Sequence, residues 1–168
     1  MSDPAERLRA RLEVIFAARE ARLRAERDAA EEAARRREAF LGAFADRVAS
    51  CVLPAFEVAV AAVEAHGFEG RVRHDPEPEE GQPSVRFEMH PGGDEGRDPA
   101  LGRATLRYEA DGEAQRIQVE RSVGGGAHAA FARSFRDHER LELHELTAEA
   151  IEVHLAELVA RAVDEPEA

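Results

Sequence analysis

The chain has 168 residues, a net charge of −12, and 35% charged against 43% hydrophobic residues, enough for one ordinary domain with an appendage. The imbalance is local: residues 1–50 carry 11 Arg and 10 Asp or Glu, residues 51–168 carry 12 Arg and 25 acids, so the second stretch repels phosphate backbones. The single cysteine, Cys51, excludes an intramolecular disulfide and a zinc site built from thiolates.

All 23 basic residues are arginine, a bias expected of a GC-rich bacterial gene. The start, MSDPAERLRARLEVIF, lacks a basic region followed by an apolar one and does not read as a secretion signal. The most apolar window, residues 39–63, is broken by Asp46, Arg47, Pro54 and Glu57, so a cytoplasmic location without a membrane partner is expected.

In chain order, Asp3-Pro4-Ala5-Glu6 predicts a helix start, with Asp3 as cap and Pro4 in the first turn. No Gly or Pro follows until Gly42, and the strong helix formers Ala, Arg, Glu and Leu dominate. Glu31–Arg35 and Glu32–Arg36 stand four apart with the acid first. A helix over residues 4–50 would run about 70 Å, against about 35 Å for a compact domain made of the remainder, so it is expected to project as a separate region, residues 1–50. Its apolar stripe is strong at the start, with Leu8, Leu12, Ile15 and Phe16, and thin afterwards, with Leu23 and Ala30 at intervals of seven from Phe16. Arg19, Glu20, Glu26 and Arg27 interrupt the seam. The spacing predicts a coiled-coil-like contact with a helix of a second copy or of another protein; the alternative is a single solvated helix held by its own ion pairs.

From Phe40 the helical stripe becomes continuous: Leu41, Phe44, Val48, Cys51, Val52, Phe56, Val60, Val63. Pro54 predicts a kink or restart, and Gly67 a left-handed cap. Cys51 reads as a core residue. Strands are predicted at RVRHD, SVRFEMH, ATLRYEA and RIQVERSV, and a possible fifth at ERLELHE with Leu141 and Leu143 on one face. Asp111-Gly112 predicts a tight type I′ hairpin. PEPEEGQP, PGGDEGRDP and the glycine-rich run from Gly124 read as loops. Thr147 is the expected cap of a last helix, stapled by Leu146 and Ile151, whose buried stripe is Ile151, Leu155, Leu158, Val159 and Ala162.

The expected fold is α+β: a long N-terminal helix, then residues 51–168 as a two-layer sandwich. In it, an antiparallel meander of four or five strands is covered by the second helix and the C-terminal helix. The opposite face carries Arg86, Glu88, Arg107, Glu109, Arg116 and Glu120, either cross-strand pairs on a solvated surface or a polar docking face.

No chemistry is positively indicated. The seven histidines make no HExxH or H-x3-H pair, although His138, His144 and Glu142 could converge in the fold. Ser50, Ser84, Ser122 and Ser134 lie in no Gly-x-Ser-x-Gly context, and no lysine follows the glycine run to make a phosphate loop. Catalytic, cofactor and metal sites are therefore expected to be absent. The leading expectation is a non-enzymatic assembly or adaptor protein, followed by a small acidic chaperone-like binder holding a client strand on a sheet edge. Third comes a nucleic-acid binder, since the element order resembles that of some small dimeric nucleoid-associated proteins.

Overall fold

The computed structural model describes residues 3–92, 103–124 and 135–163; the loop PGGDEGRDP beyond Gly92, the glycine-rich connection with His128 and Ser134, and Asp164 lie outside them. The chain divides into two compact units, residues 1–39 and 40–168. Helix α1, Pro4–Arg47, begins in the first unit and ends in the second.

In the first unit every described residue is exposed except Glu32, which is half-buried. Asp3 Oδ1 accepts the Ala5 N–H at 3.1 Å and caps the start. Glu32 accepts from both Arg35 and Arg36 at 3.0 Å, and Arg22 lies 3.7 Å from Glu26. Arg35 thus turns to the acid three residues back rather than to Glu31.

The second unit is an α+β sandwich. The helix does not stop at Pro54. It widens into one π-helical turn, Val48–Val52, in which the Leu53 N–H reaches back to Val48 O, and resumes as α2, Leu53–Ala65. Proline has no N–H to give and crowds the carbonyl four residues back; the wider turn just before it absorbs that conflict while the chain stays helical. Gly67, at φ 85°, turns the chain out of the helix.

Five strands follow, each paired antiparallel with the next: β1 Phe68–Asp75, β2 Ser84–Pro91, β3 Arg103–Asp111, β4 Arg116–Gly124 and β5 Phe135–Leu141. Helix α3, Ala148–Val163, closes the chain. Alternation sends Val85, Phe87, Met89, Leu106, Tyr108, Ile117 and Val119 to one face, where all are buried. Phe40, Phe44, Val48, Val52 and Phe56 cover them from α1, the π turn and α2; Ile151, Leu155 and Leu158 do so from α3. Phe56 is the hub, 5.8 Å from the Phe87 ring and 6.0 Å from that of Tyr108. At Gly70 the backbone of α2 comes so close to β1 that an added Cβ would lie 2.9 Å from Val60 Cα, so only glycine fits.

Two local expectations are corrected. Asp111-Gly112 does not make a two-residue turn: the hairpin closes at the Asp111–Arg116 pair around four residues. The left-handed residue is Gln115, at φ 52°, rather than Gly112. Asp111 Oδ1 accepts the Ala114 N–H at 3.0 Å, and this side-chain bond stabilises the longer turn. The last strand runs Phe135–Leu141 instead of through ERLELHE, because Leu143–Glu145 wind into a 3-10 turn. A capping box between Glu142 and Glu145 favours that turn.

Candidate interaction surfaces

The residues assigned to a partner helix lie on α1, where helical spacing of three and four places Leu8, Leu12, Ile15 and Phe16 on one side. Leu8 is 59% exposed, Ile15 60% and Phe16 56%; Leu12, Leu23 and Ala30 are exposed as well, and so is Val14. Elsewhere among the described residues side chains of this size mostly lie in the core.

A second apolar surface lies in the second unit. A groove between α2 and α3 is lined by Ala59, Val63, Phe68, Leu155, Val159 and Val163, and it encloses about 520 Å³. Helix α2 is apolar on its outward side too, with Val58 exposed. By length and composition the continuous helix Pro4–Ala65 contains a window able to cross a membrane, 22% of it buried. Val48, Val52, Phe56 and Val63 of that helix belong to the core.

The uncovered face of the sheet is polar and holds the alternate residues that sequence periodicity assigned to it. One row runs Arg73, Arg86, Arg107, with each arginine directly opposite the next, and continues through Glu120 to His138. The row beside it runs Arg71, Glu88, Thr105, Ser122, Arg136. Glu88 is only 1% exposed although it points away from the core. Long arginine stems cover it, and its carboxylate lies 3.2 Å from Arg86, 3.3 Å from Arg73 and 3.9 Å from Arg103. One carboxylate therefore serves three guanidinium groups. Arg107 pairs with Glu109 on its own strand, yet the Nε atoms of both Arg86 and Arg107 are buried without a partner. Thr105 and Ser122 share a 2.6 Å hydroxyl bond. Burial holds the pKa of His90, which flanks this cluster, below its ordinary value; Glu88 opposes the shift.

A polar network that the sequence reading missed lies on the covered side. Arg121 occupies an inward position of β4 and is met there by Asp137 and Glu139 from β5 and Glu157 from α3, at 2.5, 3.4 and 2.5 Å. Next to it the Tyr108 hydroxyl and His154 Nδ1 are 2.8 Å apart, and His154 Nε2 lies 3.5 Å from Glu139. Neutral His154 can accept from Tyr108 through Nδ1 while its Nε2–H stays on the side of the Glu139 carboxylate. Burial and the Arg121 charge depress the pKa of His154. Burial raises that of Tyr108. The hydrogen bond from Arg121 lowers that of Asp137. The network ties α3 to the last two strands. Its signal in the sequence is parity: Arg121 falls in step with Ile117, Val119 and Val123, and His154 falls within the stripe of Ile151, Leu155 and Leu158.

The other singled-out residues are not brought together. His138 stands opposite Glu120 on the uncovered face, whereas Glu142 is engaged by Arg116 and caps the 3-10 turn that holds His144. Among the described residues no group of three His, Cys, Asp or Glu is placed to hold a metal ion. Ser50 donates to Asp46 O at 2.7 Å, and Cys51 is half-buried against the core. No protein-family model, curated protein or solved structure matches the chain.

Proposed function

We propose that this is a non-enzymatic assembly or adaptor protein of the cytoplasm, which associates through its N-terminal helix and presents the α+β unit to a second component. The observation that carries this reading is the exposure of Leu8, Leu12, Ile15 and Phe16 along one side of a long helix. Covering a side chain of this kind is worth about 1.5–3 kcal/mol, so water is a poor environment for all four together. A second copy of the helix, or one of another protein, satisfies the stripe in the same way.

The sheet edges weigh against the client-holding alternative. Strand β1 exposes Arg71, Arg73, His74 and Asp75, and β5 contains Arg136, Asp137, His138, Glu139 and Arg140. Charges of this density discourage strand addition at an edge. Nucleic-acid binding through Arg35-Arg36-Arg37 finds little support, because Glu32 already engages Arg35 and Arg36.

Light scattering on the full chain and on the variant Leu8→Asp, Leu12→Asp, Ile15→Asp tests the proposal. The wild type is expected at the mass of two or more chains, or in complex with a co-purifying protein. The variant is expected at the mass of one chain with its strand signal in circular dichroism unchanged. A wild type that stays monomeric at high concentration, without a partner, sinks the reading.

A further inference from the structure

We infer that the uncovered face of the sheet is a docking surface for an acidic segment of a partner protein, with the row Arg73, Arg86, Arg107 as its centre. This deepens the adaptor reading and rests on it, since it names what the second unit presents.

Strand pairing forces these three arginines into register, about 4.8 Å apart from strand to strand. Like charges placed directly opposite one another oppose sheet formation, and the local carboxylates do not cancel them. Glu88 is divided among Arg73, Arg86 and Arg103, and Arg107 pairs with Glu109, so two carboxylates serve four guanidinium groups. The face offers what a carboxylate needs: forked donors of fixed geometry. The hydroxyls of Thr105 and Ser122 lie one row away and supply neutral hydrogen-bonding groups.

A nucleic acid fits less well. Among the described residues this face presents no Phe, Tyr or Trp ring to stack on a base. Glu88, Glu109 and Glu120 interrupt any continuous basic track, and residues 51–168 carry 25 acids against 12 arginines.

The test is fluorescence anisotropy of a labelled oligoglutamate peptide of about ten residues with the full chain at about 50 mM salt, where screening is weak. Saturable binding is expected, weakening as salt rises. Arg107→Gln and Arg86→Gln should each weaken it at least about tenfold, whereas Arg35→Gln with Arg36→Gln, a larger loss of charge made in the first unit, should leave it unchanged. Should Arg86→Gln unfold by depriving Glu88 of a partner, Arg73→Gln at the exposed sheet edge tests the same row. No binding, or equal losses from the control pair, overturns the inference. So does stronger binding of a thymidine oligonucleotide of equal charge, or full competition by submillimolar inorganic phosphate. The triple aspartate variant of α1 should retain binding as a single chain, so failure of this site and failure of helix-mediated association give separate signals.

Discussion

Two stretches of the same continuous helix carry large apolar residues at helical spacing and meet opposite fates. Phe40, Phe44, Val48, Val52 and Phe56 are buried, Phe44 to 2% and Val48 to 0%, whereas Leu8, Leu12, Ile15 and Phe16 are exposed. The periodicity of the two sets is alike. What differs is the supply of cover: the first set lies against a five-stranded sheet and α3, and the second has only helix around it, rich in Arg and Glu. An apolar stripe states that a helix needs a partner; it does not state that the same chain provides one.

Matched substitutions sharpen this contrast. The largest effect is expected at the hub: Phe56→Ala should cost about 3–5 kcal/mol, read as a lowered denaturant midpoint. Phe16→Ala should shift the stability of the second unit by less than about 0.5 kcal/mol while weakening self-association or partner binding. Equal losses of stability at the two sites would erase the distinction. Next comes Gly70→Ala, which forces α2 away from β1 and should destabilise by about 1–3 kcal/mol, visible in a thermal melt.

Tyr108→Phe leaves His154 Nδ1 buried without its donor and should cost about 1–2 kcal/mol. The smallest effect is one of pH. The folded chain depresses the pKa of His154, so proton uptake favours the unfolded chain. This contribution is complete above about pH 6.5 and is lost as pH falls from there through the folded-state value. Melting temperature should therefore drop on acidification below about pH 6.5, and His154→Gln should flatten that slope. A slope unchanged by the substitution would assign it to other groups, His90 first among them, since its pKa is depressed in the same direction.

The layers of the fold were legible because period-two alternation in β2, β3 and β4 and period-3.6 stripes in α2 and α3 each point to one buried face. Three features were not. The π turn depends on how a helix already held at Phe44 and Val48 passes Pro54, a tertiary constraint that a local signal cannot carry. The four-residue hairpin depends on the Asp111 carboxylate competing for the Ala114 N–H against a dipeptide that favours a shorter turn. The burial of Glu88 and Arg121 depends on charges arriving from other strands and from α3, and charged residues in a strand ordinarily read as solvated. Of the candidate surfaces, the stripe from Leu8 to Ala30 and the polar face were visible as patterns. The register that sets Arg73, Arg86 and Arg107 in one row required the strand pairing itself.

The central claim is that the exposed side of the N-terminal helix is sheltered when the protein works. Amide hydrogen exchange of residues 8–23 in the full chain, across a dilution series, measures that shelter directly. The account predicts slow exchange at high concentration, or with the partner bound, that accelerates on dilution and is fast throughout in the triple aspartate variant. Fast exchange at every concentration, alongside a protected sheet and no bound partner, would contradict it.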